Sequence, residues 1–186
     1  DAAENVKENY QLAAKFLNIP IENIITLKQI HSNKVVYYQR GDFTFADRPE
    51  ADALITKEKN IAIAVLTADC VPIILYDSKA QIIAAIHAGW KGAFKNIISN
   101  TLNEMIKIGA SKNNIHSVIY PAIAQQSYEV DNNFYQNFLT ESLANKKFFI
   151  HSNKAGHFLF DLVSYVAQKL AMGGVKEVNR TDIDTV

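Results

Sequence analysis

The sequence predicts a single α/β domain, and three observations support this class. The chain has 186 residues, a length typical of one domain with a sizeable core. Short apolar runs rich in β-branched residues fill its centre, as expected for strands that are buried on both faces. Segments with apolar residues at helical spacing lie on both sides of that centre. Neither a repeat nor a linker divides the chain.

The elements follow in order along the chain. Residues 4–17 have helical spacing from Val6 to Leu17, and Pro20 lies beyond them as a stop. A polar stretch at 39–50 predicts a loop. A last helix is predicted at 160–172, with Asp161 in its first turn, where a carboxylate suits the helix dipole. The other predicted helices cover 92–108 and 132–143, and the predicted strands cover 24–27, 35–38, 53–55, 61–66, 71–76, 81–86, 116–120 and 148–150.

The composition limits the classes of binding partner and the cellular compartment that we expect. Nineteen basic residues balance nineteen acidic ones, so we expect no nucleic-acid partner. No apolar run is long enough to span a bilayer, and we expect no membrane partner and no signal peptide. A single cysteine cannot form an internal disulfide, which predicts a cytoplasmic protein and leaves the mature form of a secreted protein as the alternative. We expect a monomer or a homodimer. Because the chain starts at Asp1 without Met and stops at Val186 in a polar stretch, we expect segments to be missing from both termini.

Three segments at the ends of apolar runs carry groups that bind metals. They are Gln-Ile-His ending at His31, Thr-Ala-Asp-Cys ending at Cys70, and His-Ala-Gly-Trp beginning at His87. Strand ends can bring such side chains together from distant parts of the chain. Two imidazoles and one thiol with an open fourth position suit catalytic zinc. The sequence therefore predicts a metal site formed by His31, Cys70 and His87.

Each of these residues also has a structural interpretation. A lone cysteine among aliphatic residues is typical of a small buried hydrophobe, although the neighbouring Asp69 needs a partner or a role. His87 fits a histidine satisfied by backbone groups at a strand end, and His31 alone fits a solvated turn. Asp52 is either an acceptor that orients a ligand histidine or a solvated acid. We assign no role to the three remaining histidines, which are His116, His151 and His157.

Five segments, read in order, resemble the motifs of a known family. QIHSNKV, ADALIT, TADCVPIILYD, IHAGWKG and YPAIAQQSYEV are similar to those of the YfiH-type family, also called multicopper polyphenol oxidase or laccase-domain proteins. The resemblance covers nearly the whole chain, residues 1–186, as one domain. It implies a layered α/β sandwich with a mixed sheet, and metal binding by His31, Cys70 and His87.

The resemblance also implies an activity. Members are zinc-dependent purine nucleoside phosphorylases that act on adenosine, inosine, guanosine and methylthioadenosine, with adenosine deaminase activity. This chain departs from the family pattern at Lys91, where the family has Arg, and at Tyr120, where it has Gly. Lys91 keeps the charge but loses the bidentate fork for phosphate. The family's N-terminal Thr-Arg-x-Gly-Gly and C-terminal Ser-Arg-Arg segments are absent from these residues.

Four hypotheses use the same residues. In the first, zinc at the trio supports phosphorolysis and deamination, with Asp69, Cys70 and His87 as the catalytic residues. Copper at the same trio suits a polyphenol oxidase, although five histidines without an H-x-H pair are few for a multinuclear cluster. The third is a metal-free hydrolase with Cys70 as nucleophile and His87 as base. The fourth is a scaffold with structural zinc, for which no fourth ligand is identified. The candidate substrate or phosphate contacts are Lys28, Gly89, Trp90, Lys91, Tyr128 and Glu129.

Overall fold

A six-stranded mixed sheet organises the fold of the computed structural model, which describes residues 3–186. The strands are β1 (Ile24–Ile25), β2 (Val35–Tyr38), β3 (Ala53–Thr56), β4 (Ala62–Ile63), β5 (Val71–Asp77), β6 (Ile82–Ala88), β7 (Ile115–Ile119), β8 (Glu129–Asp131), β9 (Phe149–His151), β10 (His157–Phe160) and β11 (Glu177–Arg180). The helices are α1 (Ala3–Leu17), α2 (Trp90–Phe94), α3 (Ile97–Lys107), α4 (Asn132–Glu141) and α5 (Leu162–Met172).

The main sheet has the strand order β11-β7-β5-β6-β3-β2. Its two outer pairs, β11 with β7 and β2 with β3, are parallel, and the three inner pairings are antiparallel. The predicted mixed sheet is therefore confirmed. Two smaller sheets flank it, a parallel pair of β1 and β4 and an antiparallel sheet in the order β8-β10-β9.

The β5–β6 hairpin sets the geometry at one end of the sheet. Its register pairs Val71 with Ala88 and Pro72 with His87. At the opposite end the buried Asp77 carboxylate accepts hydrogen bonds from the amides of Lys79 and Ala80, both at 3.0 Å, and closes the turn. Because the two strands are antiparallel, the start of β5 and the end of β6 meet at the same edge.

The two faces of the sheet are covered unequally. α3 and α5 pack on one face, over a core that includes the fully buried Phe138 and Phe160. A smaller cluster around Leu54 covers the other face at β2 and β3. On β5, however, Tyr76 is 39% exposed and stacks on His116 of β7. The expectation of strands covered on both faces is therefore wrong for β5 and β7, where inward and outward positions alternate.

Local backbone chemistry explains the other differences from the sequence prediction. The helix predicted at 92–108 is two helices, because Asn96 adopts the left-handed conformation that asparagine tolerates, at φ +68°. Asp161 precedes α5 as its N-cap and accepts a hydrogen bond from the Ser164 amide at 2.8 Å, so it does not lie in the first turn. The strand predicted at 61–66 shortens to β4, and β8, β10 and β11 were not predicted. None of the helices within residues 3–186 is long and apolar enough to cross a membrane.

Candidate metal centre

The structure brings His31, Cys70 and His87 together at one edge of the main sheet. One ligand atom from each residue lies within 4.8 Å of the other two. His31 comes from the loop before β2, Cys70 directly precedes β5, and His87 lies near the end of β6. The His87 ring is buried, Cys70 is half-buried and His31 is exposed. The cluster is thus anchored in the protein on one side and open to solvent on the other.

Contacts within the trio fix its geometry more closely. The Cys70 Sγ atom lies 3.8 Å from His31 Nε2. The two imidazole rings meet edge to face, with centroids 4.7 Å apart and planes at 82°. The three donor atoms are therefore close enough to hold one small ion between them.

A buried carboxylate supports both histidines. Asp52 is fully buried, and its Oδ1 atom lies 2.8 Å from His87 Nδ1. The same carboxylate accepts hydrogen bonds from the His31 amide at 3.0 Å and from the Ser32 amide and hydroxyl at 2.5 and 2.7 Å. Of the two interpretations of Asp52, the structure therefore shows the acceptor that orients His87. Ser32 was missed by the sequence analysis, although it lies inside the QIHSNKV motif.

A second clamp joins the loop of His31 to the loop of Cys70. The Gln29 side-chain amide donates to the Leu66 carbonyl at 2.7 Å and accepts from the Leu66 amide at 2.8 Å. This paired hydrogen bond ties residues 29 and 66, which lie two and four positions away from His31 and Cys70. Gln29 was included in a quoted motif, but a structural role for its side chain was not predicted.

Glycine at position 89 makes room for the cluster. A Cβ atom added to Gly89 would lie 2.9 Å from Cys70 Sγ and 2.9 Å from His31 Cδ2. At Gly92 an added Cβ would lie 2.9 Å from the backbone carbonyl of Ser32, in the loop that carries His31. The HAGWKG segment therefore needs small residues because the ligand side chains and their loop pass directly over it.

The surroundings act differently on the ionisation of the two ligand types. Burial raises the pKa of the Cys70 thiol, and the negative charges of Asp69 and Asp52 add to that effect. Burial lowers the pKa of His87, and this outweighs the opposite effect of its hydrogen bond to Asp52. Neutral His87 can therefore donate a lone pair, whereas Cys70 needs a nearby cation to become a thiolate. Burial alone would raise the pKa of Asp52, but hydrogen bonds from Ser32, His87 and the His31 amide together outweigh it and hold the pKa below the ordinary value.

Several other predicted site residues lie around the trio. Asp69 directly precedes Cys70, is exposed, and accepts a hydrogen bond from the Thr185 hydroxyl at 3.1 Å. Burial raises the pKa of Tyr128 to about 12, and the negative charges of Cys70 and Asp69 add to that effect. Thr185 was not anticipated, since nothing in its sequence context suggests a contact with residue 69.

The remaining predicted contacts are engaged mainly with other groups. Trp90 begins α2 and packs edge to face on Phe134, with ring centroids 4.9 Å apart, and the exposed Lys91 ammonium lies 5.6 Å from the Trp90 ring. Lys28 pairs with Glu50 at 2.8 Å. Glu129 accepts a hydrogen bond from Ser152 and lies 3.9 Å from the Lys154 ammonium. The structure thus joins Gly89 directly to the trio but gives Lys28 and Glu129 partners on the surface.

The donor set fits a single borderline metal ion. Two imidazole nitrogens and a thiolate sulfur suit zinc or copper, and the exposed side at His31 leaves room for a further ligand. Within residues 3–186 this trio is the one group of three or more His, Cys, Asp or Glu side chains arranged to hold a metal. The described residues therefore offer a site for one metal, and not the several that a multinuclear copper cluster needs.

Comparison with known proteins agrees with this fold. Proteins named purine nucleoside phosphorylase from Rickettsia conorii and Rickettsia prowazekii are 46% and 45% identical to the chain over 164 residues. Each match covers 88% of this chain and 66% of the relative, so the chain spans about two thirds of those proteins. The crystal structure of the hypothetical protein YfiH of Bacillus licheniformis superposes with a TM-score of 0.88 at 26% identity, covering 96% of this chain and 70% of that one. Over residues 1–186 the sequence matches the family described as multi-copper polyphenol oxidoreductase laccase, and the chain belongs to that family.

Proposed function

We propose that this chain is part of a zinc-dependent purine nucleoside phosphorylase. The observation that carries the proposal is the convergence of His31, Cys70 and His87 on one partly open site. The names of the Rickettsia relatives supply the activity. That name implies a purine nucleoside and inorganic phosphate as the reactants. The family resemblance extends the proposed nucleosides to adenosine, inosine, guanosine and methylthioadenosine.

The chemistry requires three tasks of the protein. In phosphorolysis a phosphate oxygen forms a bond to the ribose C1′ atom while the bond from C1′ to the purine breaks, and the electron pair leaves with the purine. The protein must hold the phosphate, orient the nucleoside and manage the proton that the departing purine takes up. A zinc ion bound by the trio would supply Lewis acidity at this point.

The exposure and contacts of the surrounding residues suit them to different tasks. Lys91 carries an exposed ammonium on α2, two residues after Gly89, and suits the phosphate. Asp69 is exposed beside Cys70 and suits proton transfer, whereas the Glu129 carboxylate is engaged with Ser152. Tyr128 keeps its proton at neutral pH, because burial raises its pKa to about 12, and can donate a hydrogen bond to the nucleoside.

A deaminase activity at the same centre is the finer part of the proposal. The zinc nucleobase deaminase signature, H-x-E followed by P-C-x-x-C, does not occur in this sequence. Conversion of adenosine to inosine would therefore depend on the His31, Cys70 and His87 trio, with Asp69 as the exposed carboxylate next to Cys70.

The test is an adenosine assay on protein of measured metal content. We expect adenine release that requires phosphate and zinc, and inosine formation that requires zinc alone. His31→Ala and Cys70→Ala should abolish both, while His151→Ala, which alters a histidine outside the trio, should not. Adenine release that persists in Cys70→Ala would contradict the metal-trio mechanism. Zinc binding without any product would favour the scaffold hypothesis.

Assays on the same purified protein distinguish two other candidate activities. The family description favours copper, and oxygen-dependent oxidation of a phenol by the copper-loaded chain would support the oxidase. The alignment of Cys70, His87 and Asp52 also resembles the nucleophile, base and acid of a cysteine hydrolase. The raised pKa of the Cys70 thiol disfavours that hydrolase, and inactivation by chelators would exclude it.

The thiol ligand also bears on the compartment. A cysteine that binds a metal must remain reduced, which supports a cytoplasmic location. We expect either a monomer or a homodimer, and light scattering of the purified chain distinguishes the two.

A further inference from the structure

Asp52 is an unusual carboxylate because it is fully buried without a lysine or arginine partner. Among residues 3–186, no ion pair joins Asp52 to a lysine or an arginine, and the one ionisable side chain that contacts its carboxylate is His87. Its other donors are the amides of Ile30, His31 and Ser32 and the Ser32 hydroxyl. A buried carboxylate is costly unless it is fully hydrogen-bonded, so this arrangement needs a role that a neutral side chain would not fill.

The first consequence concerns the backbone at His31. This residue has φ +56°, in the left-handed region that residues other than glycine rarely adopt. Three successive amides, from residues 30 to 32, donate to the one carboxylate and hold the chain in that conformation. The left-handed turn directs the His31 ring towards Cys70, with Nε2 3.8 Å from the sulfur.

The second consequence concerns the proton on His87. An ionised carboxylate can only accept hydrogen bonds, so the His87 Nδ1 atom, 2.8 Å from Asp52 Oδ1, must carry the proton. The lone pair of the neutral ring is then on Nε2, the atom left for a metal. The His87 amide also donates to the Asp52 carbonyl at 2.8 Å, which fixes the ring from its backbone as well.

We propose that Asp52 is the positioning residue of the site, and that its single carboxylate sets the tautomer of His87 and the turn of His31 before any metal binds. The inference rests on the proposed metal site. It adds that the geometry of the ligands is built into the metal-free protein and is not created by the ion.

The test compares Asp52→Asn with Asp77→Asn in the full chain. In one orientation, the asparagine NH2 group at position 52 would face a backbone N–H, so that two donors meet. In the other, it would donate to His87 Nδ1 and move the ring proton to Nε2, as occurs when the aspartate of a Ser-His-Asp triad is replaced. Asp77 is a matched control, because it is 1% exposed and also accepts from three backbone amides, at the other end of β5.

We expect Asp52→Asn to weaken zinc binding roughly 10- to 100-fold in competition with a chromophoric chelator. Asp77→Asn should leave zinc affinity within about threefold of the wild type, well below that range, even if it lowers the melting temperature. The cobalt-loaded wild type should show a sulfur-to-cobalt charge-transfer band that Asp52→Asn shifts or loses. Equal affinity of Asp52→Asn and wild type, or an equal loss in both variants, would overturn the proposal.

A measurement on the wild type keeps the inference testable if Asp52→Asn does not fold. Long-range proton–nitrogen NMR of the metal-free chain reports which His87 nitrogen carries the proton, and we expect Nδ1. A proton on Nε2 would refute the role of Asp52. A wild-type chain that binds no zinc would refute the proposed function, and the NMR result would then decide the Asp52 inference by itself.

Discussion

Replacing Gly89 with alanine perturbs the candidate metal centre with a single methyl group. Gly89 precedes α2 with φ −68° and ψ 164°, a conformation that alanine adopts freely, so the change introduces no backbone strain. The expected effect of the substitution comes only from the volume of the added methyl group. The new Cβ would lie 2.9 Å from both Cys70 Sγ and His31 Cδ2.

The size of the effect follows from these distances. Ordinary contacts of this kind lie at roughly 3.5–4.0 Å, so the ligand atoms must retreat by about 0.6–1.1 Å. Metal–ligand distances tolerate deviations of only about 0.2 Å. Overpacking of this kind costs roughly 1–3 kcal/mol, which corresponds to a loss of zinc affinity of roughly 5- to 140-fold.

The assay is chelator competition for zinc, combined with thermal unfolding of the metal-free chain. Because His31 is exposed, its ring can move aside when no metal is present, and we expect the metal-free protein to lose little stability. Gly41→Ala is the control. Gly41 has φ +95° with no atom within 4 Å of an added Cβ, so alanine there strains a loop without touching the site.

The two variants should therefore have opposite signatures. Gly89→Ala should lose zinc affinity and keep its melting temperature, while Gly41→Ala should lose melting temperature and keep zinc affinity. Zinc binding by Gly89→Ala within twofold of the wild type would refute the argument that this glycine makes room for the ligands.

Three further predictions concern stability. Phe138→Ala, which empties a fully buried position in the aromatic core, should lower the free energy of unfolding by roughly 3–5 kcal/mol in urea denaturation. Asp161→Ala removes the N-cap of α5 and should cost about 1 kcal/mol in the same experiment. Burial alone would raise the pKa of Glu141, but hydrogen bonds led by that from Lys169 outweigh it and lower the pKa below its ordinary 4.5. A carboxylate with a lowered folded-state pKa stabilises the fold above its unfolded-state pKa, and that contribution is lost as the pH falls through the folded-state value. Glu141→Gln should therefore flatten the loss of stability below about pH 4.5, measured by urea denaturation at several pH values.

These predictions have clear contrary outcomes. A loss below ~1 kcal/mol for Phe138→Ala would mean that the aromatic core closes over the vacated space. An unchanged unfolding midpoint for Asp161→Ala would show that another group caps α5. Identical pH profiles for Glu141→Gln and the wild type would mean that Glu141 ionises alike in the folded and unfolded chain.

The convergence of His31, Cys70 and His87 could be predicted from the sequence, because each lies at the end of an apolar run and within a motif that resembles the family. A pattern of strands indicates where strand ends meet, and residues that carry metal-donor atoms at those strand ends become candidates for one site. The tie between Asp52 and His87 was one of two open interpretations, since a sequence does not show which strands are neighbours. Once β3 is known to pair with β6, the contact follows directly.

Other features depend on information that is not local. The break at Asn96 divides an otherwise continuous helical pattern, and the asparagine itself is compatible with either conformation. The partners of Lys28 and Glu129 are surface side chains whose approach depends on loop geometry. The exposed face at Tyr76 could not be distinguished from a buried one by composition, because its apolar run is the same in both cases.

The register of the β5–β6 hairpin gives the site a particular sensitivity to insertions and deletions. With Pro72 opposite His87, Cys70 and the end of β6 meet at one edge, and His87 faces the same side of the sheet as Asp52. Removing one residue from within β6 would turn His87 to the opposite face, into the apolar core, whatever its neighbours. Changes in length are tolerable only in the exposed turn around Lys79, outside the ladder. The register between the strands that carry Cys70 and His87 is therefore as much a part of the site as the residues themselves.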